Sequence, residues 1–278
     1  MEGRIYKIIA GFYDVKSQNE FIRIRGSGKL RFSEQTPVVG DFVTFSNSLE
    51  NIKDRKNILV RPKVANVDQL IIVVSLSEPS FSSLLLDKFL SIANYENIEP
   101  IIIFTKQDLV EKIDEKVSFY EANFTIFKTK FNDMNTINPV KLIFKNKTSV
   151  LMGQTGVGKT TLFNNLTDSD EETQAISKAL GRGKHTTRVV SMHDFLGGQI
   201  IDSPGFSLID LGLNELDLAK SFLFHKNQNL NCKYRSCLHK NESLNDCSIK
   251  QDIEKQLIPI WRYENYLKIN KDISSKKQ

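Results

Sequence analysis

Residues 153–160 read Gly-Gln-Thr-Gly-Val-Gly-Lys-Thr, matching the pattern G-x-x-x-x-G-K-[ST] at every fixed position. The chemistry of that spacing is phosphate binding. Backbone N–H groups of Gly153, Gln154, Thr155, Gly156, Val157 and Gly158 converge on phosphate oxygens, Lys159 reaches the β- and γ-phosphates, and the Thr160 hydroxyl faces Mg²⁺. Thr161 continues the same turn. Such a loop works only if a strand precedes it and a helix follows. Residues 148–152 form a β-prone run, and Leu162, Phe163 and Leu166 fall on one helical face. A chance match in a glycine-rich turn would lack both flanks.

Thr105-Lys106-Gln107-Asp108 follows the buried-strand run 100–104, at the strand end where α/β sheets bind ligands. A carboxylate at Asp108 accepts two hydrogen bonds from guanine, from N1–H and the exocyclic amine, whereas adenine offers an acceptor at N1. Lys106 lays its stem along the base. The usual guanine motif has Asn where this chain has Thr105, which shortens the reach toward N7 and removes an amide brace. An ordinary strand-to-helix turn is the alternative for these four residues.

A third motif, Asp202-Ser-Pro-Gly205, follows the apolar pair Ile200–Ile201. In phosphate-loop GTPases the Asp of D-x-x-G holds Mg²⁺ through water and the Gly N–H senses the γ-phosphate. Between the two loops lies the basic, Gly-punctuated stretch 181–188, which suits a switch segment. Either Thr186 or Thr187 supplies a second hydroxyl to Mg²⁺. The residue after Gly205 is Phe206, where a water-orienting Gln is usual. The missing group comes from the switch, with His185 the nearest candidate, or from a partner, so intrinsic turnover is expected to be slow.

Chain order is the unusual feature. The guanine motif precedes the phosphate loop, whereas an unpermuted GTPase places it last, and a circular permutation produces this order. Domain termini lie close together at the surface, so such rejoining leaves the sheet intact.

All three cysteines fall in Cys232-x4-Cys237-x-His239-x7-Cys247. Three thiolates and an imidazole close a tetrahedral structural zinc site, and the odd cysteine count disfavours disulfides. Three unrelated cysteines beside a His are the alternative.

With Gly11-Phe-Tyr13, Pro37-Val-Val-Gly-Asp41, Arg61-Pro62, Ala65-Asn-Val-Asp68, the 181–187 segment and the cysteine cluster, the chain resembles the RsgA-type small ribosomal subunit biogenesis GTPases over nearly its whole length. That resemblance implies an α/β fold: a circularly permuted GTPase domain at 65–222, an N-terminal OB-fold β-barrel at 1–64, and a small, mostly helical zinc-binding domain at 223–278. It implies a GTP hydrolase of late small-subunit assembly, stimulated by the subunit and released on hydrolysis. The implied cofactors are one structural Zn²⁺ and Mg²⁺ with GTP. Partners are GTP or GDP and the subunit with its rRNA, for a cytoplasmic monomer. Thr129 falls near the family's second guanine-contacting loop, though Lys-Thr-Lys matches that loop poorly. The family spacing between the His and the last Cys is two residues shorter. An ATP-dependent phosphotransferase, or an RNA-binding protein with non-catalytic nucleotide, are the competing readings.

Composition agrees. At 278 residues the chain exceeds a usual single core, and 40% hydrophobic with 26% charged residues is ordinary for a globular protein. The start has no apolar leader-like run, and apolar stretches such as 70–74 fall far short of the about 18 residues of a membrane span. Residues 1–64 carry a net +5, residues 223–278 another +5, and the centre −5. Two basic flanks around an acidic enzyme are expected to meet a polyanion.

The elements that position these groups are legible in outline. Residues 21–25 alternate Phe-Ile-Arg-Ile-Arg, with Ile22 and Ile24 on one face and Phe21, Arg23 and Arg25 on the other, in a region punctuated by Gly26, Gly28 and Gly40. Short strands of this kind fit a small barrel, and the arginine face suits base stacking and phosphate contact or is simply solvated. Residues 70–74, the helical spacing Leu85, Phe89, Ile92, and 100–104 read as strand, helix, strand. Ile253, Leu257, Ile260, Trp261 and Tyr263 suggest one amphipathic helix with Arg262, Lys268 and Lys271 on or near it, before a disordered basic tail over 271–278.

Overall fold

The computed structural model describes residues 1–28, 30, 35–130, 133–167, 190–202, 211–225, 228 and 230–275, with the side chains of Thr167 and Asp202 outside the description. The first strands are β1 (Glu2–Ile9), β2 (Phe12–Ser17), β3 (Glu20–Gly26), β4 (Phe42–Phe45) and β5 (Ser48–Ile52). They form a barrel: β1–β2–β3 run antiparallel, β3 meets β5, β5 meets β4, and β4 returns to β1 through Gly3↔Val43. Its interior is an apolar cluster of Ile5, Val15, Ile24, Val43, Phe45 and Leu49. The alternation at residues 21–25 appears as expected, Ile24 being 6% and Phe21 61% exposed.

A short hairpin of β6 (Ile58–Leu59) and β7 (Val64–Ala65) leads into the nucleotide domain. There β8 (Gln69–Ser75), α1 (Ser83–Tyr95), β9 (Glu99–Thr105), α2 (Lys116–Asn123), β10 (Thr125–Lys128), α3 (Met134–Ile143), β11 (Thr148–Met152), α4 (Lys159–Thr167), β12 (Ser191–Phe195) and β13 (Gly198–Asp202) follow in order. The strands lie in the order β10-β9-β8-β11-β13-β12, parallel from β10 to β13, with β12 antiparallel. Both faces are covered, as a parallel sheet requires, so β8 and β9 are nearly continuous apolar runs. Leu70 and Ile72 pack toward α1, while Ile71 and Val73 pack toward α3 and α4.

The parallel sheet gathers the motifs. The carboxyl ends of β8, β9, β10, β11 and β13 share one edge, so Thr105, Thr129, Gly153 and the backbone of Asp202 meet there whatever their order along the chain. The same sheet also runs on into the barrel, because β12 pairs with β1 at Lys7↔Ser191.

The C-terminal part contains α5 (Glu215–Ser221), α6 (Ser248–Glu254) and α7 (Ile260–Ser275). The single helix expected across residues 253–263 is instead two, separated at Pro259, which has no N–H to continue α6 and precedes the first turn of α7. Leu257, 57% exposed, lies in this break, and Ile260, 59% exposed, opens α7, so neither is on a buried face. Residues 271–275, expected in a disordered tail, continue α7, with Ile273 buried on the core.

Arg262 is the larger departure. Expected only on or near the amphipathic helix, it is 1% exposed and pairs with Asp87 of α1, which is fully buried. Tyr120 Oη donates to Asp87 Oδ1 at 2.7 Å and Asn265 Nδ2 to Oδ2 at 2.7 Å, so both carboxylate oxygens have donors. The guanidinium sits among the rings of Phe119, Tyr120 and Phe222, 4.9–5.2 Å from their centroids. Burial pushes the Asp87 carboxyl up, opposed by Arg262 and by the two hydrogen-bond donors.

Candidate functional site

The phosphate loop leaves β11 at Gly153, where an added Cβ would lie 2.4 Å from the Val73 carbonyl oxygen of β8. Only glycine lets the loop seat that closely on the sheet edge. Gly158, at φ +94°, turns the chain into α4, and Leu162 N donates to Gly158 O at 2.8 Å to begin the helix ladder. Lys159 Nζ donates to Gly153 O at 2.7 Å and to Gln154 O at 3.0 Å, which holds the ammonium over the loop. Val157 is buried, whereas Thr155, Gly156, Thr160 and Thr161 face solvent.

Thr105 ends β9 and is buried, and its hydroxyl donates to the Val157 carbonyl of the phosphate loop at 2.6 Å. The brace that a longer amide would supply is thus made by a hydroxyl directly. Lys106 adopts the left-handed conformation at φ 59°, and its Nζ donates to Glu78 O. Gln107 and Asp108 form a single 3₁₀ turn, with the Asp108 carboxylate exposed.

These two loops line one cleft of about 300 Å³, to which Thr105, Lys106, Asp108, Thr129, Gly158 and Thr161 all contribute. Thr129 N–H and Oγ1 both donate to Phe104 O, at 2.8 and 3.2 Å, which ties this lining residue to the end of β9. The sequence reading missed Ile137, Leu162 and Asn165, which close the same cleft from α3 and α4. Leu162 carried only a core signal, and nothing in the spacing of Ile137 or Asn165 points to a ligand.

His185, Thr186, Thr187 and Gly205 lie outside the described residues, as does Phe206. Asp202 is placed only by its backbone, at the end of β13, two strands from β8 and next to the phosphate-loop strand.

A second cluster forms in the C-terminal part. Cys232, Cys237 and Cys247 place their sulfurs 3.5, 3.3 and 3.4 Å from His239 Nδ1. A tetrahedral zinc with ordinary Zn–S and Zn–N bonds requires S···N edges of about 3.6 Å, so the donor set fits that ion. His239 Nε2 donates to Ala219 O of α5 at 3.2 Å. A carbonyl only accepts, so that bond assigns the proton to Nε2 and leaves the Nδ1 lone pair facing the three thiols. His239 holds φ +55° to reach this position. Among the described residues this is the one group of three or more Cys, His or acidic side chains arranged to hold a metal.

Two family models match the chain: the RsgA N-terminal domain over residues 2–53 and the RsgA GTPase over residues 52–212. The chain is 53% identical over 269 residues to the small ribosomal subunit biogenesis GTPase RsgA of Mycoplasmopsis pulmonis, covering 97% of this chain and 98% of that one. It is 38% identical to the protein of the same name from Streptococcus pneumoniae, with 100% and 96% covered. Among solved structures it is similar to YloQ, described as a circularly permuted GTPase, at TM-score 0.77 and 33% identity, covering 100% of this chain and 96% of that one. It is also similar to YjeQ from Thermotoga maritima, at TM-score 0.77 and 28% identity, with 98% of each chain covered.

Proposed function

The chain belongs to the RsgA GTPase family, and on that premise we propose that it hydrolyses GTP while bound to an assembling small ribosomal subunit. The observation that carries the reading is the cleft shared by Asp108 and the phosphate loop, bridged by the Thr105 hydroxyl on Val157 O. A base held by Asp108 and a triphosphate held at 153–160 then belong to one molecule. The ATP-dependent phosphotransferase and the non-catalytic nucleotide carrier are not favoured.

In this reading Asp108 accepts the guanine N1–H and amine, Lys106 covers the base, and Thr129 forms its floor. Lys159 exchanges its two carbonyl acceptors for β- and γ-phosphate oxygens, and Gly153–Thr161 backbone donors cradle the rest. When bound, Mg²⁺ neutralises charge on the β- and γ-oxygens; Thr160, Asp202 and one of Thr186 and Thr187 are the residues that hold it. Gly205 senses the γ-phosphate. With Phe206 unable to orient water, His185 or a group from the subunit does so. A group supplied in trans is worth about 10³–10⁵ in rate, enough to make turnover depend on the partner.

Zinc at Cys232, Cys237, His239 and Cys247 is structural, since four protein donors leave no open position. The basic flanks at 1–64 and 223–278 contact rRNA and the acidic domain at 65–222 carries the nucleotide. No described helix is long and apolar enough to cross a membrane. We place a monomer in the cytoplasm, where the subunits assemble.

The test is phosphate release from GTP and ATP, each with and without purified small subunits, on wild type and Asp108→Asn. Wild type is expected to prefer GTP and to be stimulated by subunits, and the variant to gain preference for xanthosine triphosphate. Equal use of ATP removes the guanine assignment; a nucleotide-loaded protein with no stimulation removes the subunit.

A further inference from the structure

The barrel's arginines are not equivalent. Arg4 donates to Gly40 O, Asn66 O, Thr148 Oγ1 and Gln199 Oε1. Arg55 forks onto Asp41 and also reaches Thr36 O. Arg23 forks onto Asp14, its cross-strand neighbour, at 2.6 and 2.9 Å. Arg25, two residues along the same exposed face, is different: no described carboxylate or carbonyl accepts from it. Its guanidinium instead lies 4.6 Å from the ring centroid of Phe12, the residue opposite it on β2.

This pair borders a cleft of about 380 Å³ between the Ala10-Gly11 turn that joins β1 to β2 and the segment at 35–37. Gly26 forms part of the wall, and a Cβ there would meet Leu30 and Tyr13, both at 3.5 Å, in ordinary contact. The Tyr13 hydroxyl, also in the wall, makes no described hydrogen bond. The cleft thus combines a planar cation backed by an aromatic ring, an open set of N–H donors and a free phenol.

We propose that this cleft takes one unpaired nucleotide of RNA, its base stacked on the outer face of Arg25 and its phosphate on the guanidinium edge. The inference rests on the reading that this barrel faces RNA. Bases stack on arginine planes as well as on aromatic rings, and barrels of this type bind oligonucleotides on the β2–β3 face beside the first loop. The size suits a single nucleotide at the lower end of ligand-pocket volumes, and a duplex would present neither face of its bases. An acidic peptide would engage the N–H edge but leave the plane and ring without a partner.

The experiment uses the full chain and a short single-stranded oligoribonucleotide carrying one 2-aminopurine. Arg25→Gln and Arg23→Gln remove the same charge from the same exposed face, so they separate a built site from a diffuse basic surface. Arg25→Gln is expected to weaken binding about tenfold and abolish the 2-aminopurine quenching, in line with one lost stacked base. Arg23→Gln should change affinity less than about twofold, because Asp14 already neutralises it. Arg25→Lys should keep the charge yet lose the quenching, and Phe12→Leu should lose part of it. Equal losses for Arg25→Gln and Arg23→Gln overturn the proposal, as does an unquenched wild type or equal affinity for the same strand in a duplex. Subunit-stimulated GTP hydrolysis by the same preparations tells the two readings apart. Stimulation without oligonucleotide discrimination removes the cleft alone, and discrimination without stimulation removes the subunit reading alone.

Discussion

The N-terminal barrel keeps an apolar core of its own, with Ile5, Val15, Ile24, Val43, Phe45 and Leu49 inside it, and meets the nucleotide domain mainly through polar contacts, Tyr6 and Val39 being its buried residues in the nucleotide domain's apolar cluster. One strand pair, Lys7↔Ser191, joins the sheets; Arg4 reaches Thr148 and Gln199, and Tyr6 Oη donates to Asp194 at 2.6 Å. The C-terminal part is built the other way. Phe222, Phe224, Cys237, Cys247, Tyr266 and Ile269 belong to the same apolar cluster as Leu86, Phe89 and Ile102 of the nucleotide domain. Two flanks with the same net charge of +5 therefore share the nucleotide domain's core to very different extents. A module with its own core and a polar seam separates at modest cost, whereas one that shares a core unfolds with its host.

The sharpest way to break this contrast is to take away the zinc proposed for the Cys₃His cluster. Zinc sites of this kind carry an apparent free energy on the order of 10 kcal/mol, and His239 is tied to α5 through Ala219. Chelation, or Cys247→Ala, is expected to lower the melting temperature of the nucleotide domain along with the C-terminal part and to weaken GTP binding. A separate low-temperature transition that leaves nucleotide affinity unchanged would show the shared core to be unimportant.

Removing Arg262 tests the same seam without touching the metal. Arg262→Ala leaves Asp87 buried and unpaired, a loss of about 3–5 kcal/mol in denaturant unfolding. Replacing both residues by Leu should recover part of it, because two apolar groups need no solvation; a double variant as unstable as the single one would mean that packing, not charge, is what Arg262 supplies.

The smallest effect is expected at the barrel. Arg4→Ala removes four hydrogen bonds from a half-buried guanidinium, and about 1.5–3 kcal/mol of stability should be lost, with GTP affinity unaltered. Measured nucleotide binding that falls with barrel stability would erase the distinction between the two flanks.

Much of the nucleotide site was legible because its motifs are local. Glycines that must adopt positive φ, a lysine at fixed spacing and a carboxylate just past an apolar strand announce themselves without knowledge of their neighbours. Thr105 shows the limit. Read as a weakened copy of an Asn, it donates to a carbonyl 52 residues away, a partner that no spacing rule identifies. Arg23 and Arg25 looked alike on one alternating strand, and only the cross-strand residues, Asp14 for one and Phe12 for the other, set them apart.

The chain by itself determined which chemistry is available: a phosphate loop, a carboxylate just past an apolar strand, a Cys₃His set, and a motif order that only a permuted sheet accommodates. Periodicity also supplied the strands that carry them, since a parallel sheet covered on both faces leaves long apolar runs. Tertiary structure alone decided which charges are outward. Arg262 and Asp87 stand 175 residues apart and become a buried pair only when α7 packs on α1. Burial of a charge depends on a partner brought from elsewhere in the chain, and that is a property of the packed fold, not of any window of sequence.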